Sequence, residues 1–296
     1  MMKTFSLPIG KGTQTVSLDE AHVLYDLHGN PVDAVADEQE AIRQALRHPI
    51  GSAPLKDVVQ AGDTVAIIVS DITRLVHTAQ MLPVIVDELN QAASGTNRLP
   101  SSRPRGRTAH TPEEDVTVCG EDMVKRVKVV SHDCRDASQL TKIGTTTHGN
   151  DVYLDSHVVQ ADKVILTGAV SFHPMAGFGG GRKAVLPGVA SYETIMRNHA
   201  MALTDTFGGG CNPRCETSLL EDNPLHDDMK QAAALLNPCF LVNTVFSADG
   251  DLYEVVGGHW YDAWKKGCET CCTSPAFPSR NWRILPSHRP AAIPRT

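Results

Sequence analysis

Residues 64–74 read Thr64-Val65-Ala66-Ile67-Ile68-Val69-Ser70-Asp71-Ile72-Thr73-Arg74. The first six are apolar or β-branched without a polar break, the pattern of a strand buried on both faces of a parallel sheet. The last five form a polar turn. Residues 81–90 then place Leu82, Ile85, Val86 and Leu89 on one helical face. Strand, turn and helix open a βα unit, and ligands of such sheets sit at the C-terminal ends of the strands. The 71–74 turn is therefore a candidate site.

Working outward, further strands are predicted at 127–130, 152–154, 163–170 and 240–245, and helices at 192–199, 227–236 and 260–268. The alternation argues for an α/β fold, a Rossmann-like and mostly parallel sheet flanked by helices. No internal repeat is present. The 296 residues suffice for a sizeable core, and 41% hydrophobic with 21% charged residues is ordinary for a globular protein. A net charge of -7 argues against a nucleic-acid partner, which wants a basic face. No apolar run reaches the length of a membrane span, and the N-terminus lacks the apolar core of a secretory signal, so the default expectation is a cytoplasmic protein. Of the eight cysteines, Cys119, Cys134 and Cys239 stand singly and read as buried thiols; Cys211 with Cys215, and Cys268 with Cys271 and Cys272, lack the two paired arms of a zinc site.

Chemistry-bearing residues are densest in residues 171–200, SFHPMAGFGGGRKAVLPGVASYETIMRNHA, after the strand at 163–170. Gly177, Gly179, Gly180 and Gly181 make a loop whose backbone can approach an anion, and Arg182 and Lys183 add positive charge. A nucleoside-triphosphate loop is excluded, because Arg182 stands where glycine is required and Ala184 where a magnesium-binding hydroxyl is required. His173 lies ten residues before Lys183 and His199 sixteen after it. Taken singly, His173 could be a packed strand-end residue, His199 a cation at a helix C-terminus and Lys183 an ordinary loop lysine.

Together the motifs resemble the nickel-dependent lactate racemase family. They are His173-Pro174, Gly177-Phe178 with Gly180-Gly181-Arg182-Lys183, Leu186-Pro187-Gly188 and Asn198-His199. Ser70-Asp71-Ile72-Thr73-Arg74, residues 127–136, Gly144-Thr145-Thr146 and Asn223-Pro224-Leu225-His226 fit as well. The resemblance runs from about residue 62 to 268, apart from a gap at 93–109. It implies a racemase or epimerase of a small 2-hydroxy acid that works by hydride transfer. A nickel-pincer nucleotide would be held covalently on Lys183, with His199 as the protein's nickel ligand. The 71–74 turn (Asp71, Thr73, Arg74) and the loop glycines with Arg182 would bind the cofactor, and Arg74 would take the substrate carboxylate. His173 would be one of two general bases. Cofactor-synthesis enzymes would be partners.

The sequence departs from that family in two places. Residues 93–109, rich in arginine and proline, stand where a strand and the second base motif, Gly-Thr-His-Arg, are due. His110 is close by but falls just past the motif. Residues 269–296 form a similar tail, so the reading is a cofactor-binding domain over 1–268, a remnant over 269–296 and no C-terminal domain. With suitable codons, the DNA for Arg103 to His110 read two bases on encodes Ala-Thr-Gly-Thr-His-Arg-Ala, and that for Pro290 to Thr296 encodes Gly-Gly-Tyr-Pro-Lys-Asp. Both segments thus read as frameshifted. The alternatives are a catalytically inactive cofactor-binding protein or an unrelated nucleotide-phosphate-binding protein. Sequencing the DNA over codons 92–110 and 268–296 is expected to show those motifs in the second frame; their absence there refutes the frameshift.

Overall fold

A computed structural model describes residues 1–10, 12–24, 32–74, 76–92, 100–103, 111–206, 208–247 and 250–273. The strand read at 64–69 is β3 (Val65–Ile68), and its four residues are all buried. Their side chains alternate between two cores, Ala66 and Ile68 facing one and Val65 and Ile67 the other. This is why the segment carries no polar alternation.

The chain opens with a hairpin of β1 (Met2–Ile9) and β2 (Gly12–Asp19). Next come α1 (Glu38–Arg47), α2 (Leu55–Val58), β3 and α3 (Thr78–Ala92). Strand β4 (Pro100–Arg103) precedes α4 (Pro112–Cys119), α5 (Glu121–Arg126) and β5 (Lys128–Ser131). A second antiparallel pair, β6 (Leu140–Thr145) and β7 (Asp151–Asp155), leads through α6 (Ser156–Val159) to β8 (Lys163–Val170). The short pair β9 (Phe172–His173) and β10 (Gly177–Phe178) follows directly. Helices α7 (Tyr192–Ala200) and α8 (Pro224–Leu236), strands β11 (Phe240–Phe246) and β12 (Leu252–Gly258), and α9 (Asp262–Thr273) complete the fold.

Six strands form one sheet in the order β12-β11-β8-β3-β4-β5, parallel throughout except for antiparallel β12. One face is covered by α1, α3 and α5 through Ile42, Leu46, Met81, Ile85 and Met123. The other is covered by α8, α9 and the β7 region through Met229, Ala232, Trp264 and Leu154. The mixed α/β architecture with a mostly parallel sheet is the one the sequence implied. No helix among the described residues is long and apolar enough to cross a membrane.

Two expectations are corrected. The strand expected to be lost within 93–109 is present: β4 pairs with β3 on one side and β5 on the other. A ladder is made by backbone groups whatever the side chains, and Pro100 stands at the first strand position, where a missing N–H is tolerated. The irregular segment expected from residue 269 is helical over its first five residues, because α9 continues to Thr273; the rest of that segment lies outside the described residues, as do 93–99 and 104–110.

Helix ends follow local chemistry. Ser191 caps α7 by accepting from the Thr194 amide, and Asn223 caps α8 by accepting from the His226 amide, with Pro224 at the first helical position. The residues 127–136, which carry no chemistry of their own, anchor β5: His132 bonds the buried Asp155 carboxylate and the Ala190 carbonyl.

The sheet edge depends on a close approach. A Cβ at Gly257 would lie 2.5 Å from the Ala45 carbonyl oxygen, so α1 rests on a bare backbone. Gly257→Ala is expected to cost about 1–3 kcal/mol, because the obstructing atom cannot rotate away. Urea unfolding checks this through a lower midpoint at unchanged slope.

Candidate active site

Parallel pairing of β3 with β8 puts Ile68 beside Leu166, so the turn leaving β3 lies alongside the last four residues of β8 and the loop that follows them. Between them opens a cavity of about 540 Å³. Ser70, Asp71 and Arg74 line it from the first turn, Gly179, Gly180 and Lys183 from the glycine loop, and His199 from α7. The volume is that of a small-molecule site.

The first turn is fixed by Asp71, whose carboxylate accepts from the Thr73 amide at 2.7 Å and from the Thr73 hydroxyl. Thr73 is thereby a structural partner of Asp71 and does not line the cavity. Arg74 is exposed, and no carboxylate pairs with it among the described residues.

Lys183 sits in a short 3-10 turn, Gly181–Ala184, with its Nζ 3.4 Å from His173 Nε2. Burial, then the charges of Arg182 and Arg74, bring its amine down to about 7. A large share of it is therefore neutral and nucleophilic at physiological pH. His173 is lowered to about 4 by burial, then by Lys183, Arg182, Arg74 and His199, and is neutral there. Its Nδ1 accepts from the amides of Ala176 at 3.0 Å and Met175 at 3.3 Å. The ring proton accordingly resides on Nε2, facing the lysine. As placed, His173 is a donor at Nε2, and the general-base role expected of it requires Nδ1 to leave the two amides that hold it.

His199 presents the opposite tautomer. Its Nδ1 donates to the Ile195 carbonyl at 2.9 Å, which leaves Nε2 with a lone pair for the cavity that the ring lines. A backbone carbonyl on the far nitrogen is the usual orienting contact of a metal-binding histidine.

The loop itself departs from the anion cradle expected. The amide of Gly179 donates to Ser171 O, that of Gly181 to Asn243 Oδ1 and that of Lys183 to Gly180 O, so these three are spent within the protein. Gly177 and Gly181 face away from the cavity: a Cβ at Gly177 would meet the Leu219 carbonyl at 2.6 Å, and one at Gly181 the Trp264 ring at 2.4 Å. Both have positive φ, so glycine is required on two grounds. Arg182 was expected to add charge toward a ligand. Its side chain is instead fully buried beneath the loop.

His110 lies outside the described residues. Sequence reasoning missed Asn243, His226 and Trp264, which support the loop from β11, α8 and α9 respectively. The one signal for them was His226 in the Asn223–His226 motif, to which no role was attached.

The lactate racemase N-terminal domain family matches residues 9–208. The chain is 32% identical over 273 residues to a lactate racemase of Thermoanaerobacterium thermosaccharolyticum, covering 90% of this chain and 62% of that protein. It is 33% identical over 280 residues to one of Lactiplantibacillus plantarum, with the same coverage. The structure of the Thermoanaerobacterium thermosaccharolyticum lactate racemase apoprotein superposes with a TM-score of 0.79 at 31% identity, over 90% of this chain and 61% of that one. A Thermotoga maritima protein shares the fold, with a TM-score of 0.61 at 20% identity over 82% of this chain and 60% of its own. The chain thus spans about 62% of the length of the curated relatives it matches.

The lysine environment sets a pH dependence. Acylation of Lys183 by a small activated ester, followed by peptide mapping, is expected to rise with a midpoint near pH 7. An exposed lysine requires a pH near 10. A Lys183 midpoint near 10 would show the amine to be ordinary.

Proposed function

The chain belongs to the family of lactate racemase N-terminal domains, and we propose on that premise that it is the cofactor-carrying part of a 2-hydroxyacid racemase. The observation that supports this most directly is the meeting of a neutral-leaning Lys183 amine, the free Nε2 of His199 and the exposed fork of Arg74 at one cavity.

These residues fit a nickel-pincer nucleotide. The Lys183 amine is a competent nucleophile for a covalent link, and His199 Nε2 is a suitable fourth ligand for square-planar nickel. No three His, Cys, Asp or Glu side chains converge to hold a metal among the described residues, so an ion at His199 would draw its other ligands from the bound group. When bound, that group supplies the acceptor for the C2 hydride of the substrate.

The chain's own residues supply the rest. Arg74 offers two parallel N–H donors to the substrate carboxylate and so sets which carbon faces the cofactor. His173 donates from Nε2 to the substrate oxygen, on one face only. It takes over the hydroxyl proton if Nδ1 is released from the two amides that hold it. Apolar walls from Val69, Val76, Ile195 and Phe246 limit water around the reacting centre. The sequence at 93–109 contains no Gly-Thr-His-Arg motif, so the second proton-handling histidine is wanting, and turnover of this chain is expected to fall about 10²–10⁴-fold short of a complete racemase.

Co-production with the cofactor-synthesis enzymes tests the assignment. Intact mass is expected to show an adduct that Lys183→Ala abolishes. His199→Ala is expected to keep the adduct and lose most of the nickel. An adduct that persists without Lys183, or nickel unchanged without His199, overturns the respective role.

A further inference from the structure

Arg182 is a guanidinium without an anion. It is fully buried, and no acidic side chain pairs with it among the described residues. Three of its five donors, one on each nitrogen, are met by neutral acceptors. Nε donates to His226 Nδ1 at 2.8 Å, Nη2 to the Ala176 carbonyl at 2.7 Å and Nη1 to the Phe178 carbonyl at 3.1 Å. Its plane lies 4.0 Å over the Trp264 ring, which also stacks on His226. The same indole donates to the Gly179 carbonyl at 2.8 Å. Burying a charge this way is costly, and a site that keeps one has an unusual demand for it.

The geometry ties this charge to both reactive side chains. Ala176 receives Arg182 on its carbonyl and donates its amide to His173 Nδ1. Lys183 is the next residue along the chain, and its amine reaches the other nitrogen of the same ring. We propose that Arg182 is a positioning residue, the centre of a buried cationic clamp with His226 and Trp264 that holds Lys183 against His173 and keeps positive charge beneath the amine. The clamp does this whatever group Lys183 later carries. The inference therefore stands apart from the racemase reading, although it concerns the same site.

The charge must be permanent. Burial pulls the guanidinium down to about 9, still far above neutrality, whereas His226 is pushed to about 3 and stays a neutral acceptor. An amine at position 182 would surrender its proton under the same burial and could fill only one direction of the fork. Lys183 is faced by Asp71 and Arg74 from the β3 turn, by His173, by His199 from α7 and by Arg182. Substituting Arg182 removes one of these charges and leaves the other four side chains chemically unchanged.

The test uses the full chain without cofactor and reads the pH midpoint of Lys183 acylation by acetic anhydride, so a failed racemase assignment does not affect it. In Arg182→Met the midpoint is expected to rise by at least about one pH unit, which slows labelling at pH 7 about fivefold or more. Arg182→Lys is expected not to rescue it. A folded Arg182→Met with the wild-type midpoint, or full rescue by Arg182→Lys, overturns the proposal. Nitrogen-15 NMR of the wild-type protein decides the matter if neither variant folds. His226 should hold its proton on Nε2 from pH 5 to 9, and the Arg182 Nε–H should exchange slowly; a His226 that titrates near 6.5 overturns the clamp.

Discussion

A guanidinium sealed under a glycine loop, with no carboxylate beside it among the described residues, must find oxygen and nitrogen acceptors, and that demand shapes the centre of this molecule. The carbonyls of Ala176 and Phe178 turn inward to meet Arg182. Gly177 between them takes a positive φ and Gly181 gives up any side chain so that Trp264 can close over the cation. Much of what looks like a flexible glycine-rich loop is in this sense over-determined. Its glycines answer to contacts below the loop and only in part to a ligand above it.

The electrostatic result is a graded site. Positive charge lies beneath the loop at Arg182 and at the rim at Arg74, and between them His173 is left uncharged and Lys183 uncharged for a large share of its population at neutral pH. The two histidines are sorted by backbone alone. Amides hold Nδ1 of His173 as an acceptor, and a carbonyl holds Nδ1 of His199 as a donor. Identical side chains thus carry opposite tautomers, His173 against the Lys183 amine and His199 on the wall of the cavity.

Much of the fold was legible because its signals were local. The strand at 163–170 is one unbroken run of eight residues, and the structure begins and ends it at the same positions. The convergence of Asp71, Lys183 and His199 followed from strand-end placement and from the family motifs. What could not be read was whatever depends on distant partners. Arg182 looks like a loop cation in sequence, and its burial is decided by His226, 44 residues on, and by Trp264, which reaches Gly179 across 85. The β1–β2 hairpin carries Phe5, Leu7, Val16 and Leu18 on one face and serines and threonines on the other. Most of that apolar face is exposed, so it gives little of the burial signature by which strands are recognised. The polar composition of 100–103 hid a strand whose place is set by the edges of its two neighbours.

The order in which the clamp enters the chain has a consequence for biosynthesis. The lysine is made first, the imidazole beside Arg182 later, and the indole only with α9, the last helix described. The sheet has the same long reach, since the Thr64 amide bonds Asp162 across 98 residues. Contacts of such separation form late in folding. A nascent chain that has just released Lys183 from the ribosome holds its amine in water, fully protonated and indistinguishable from any other lysine. Selective reactivity arrives only when α9 docks. Premature modification of an unfinished chain is thereby disfavoured by topology itself.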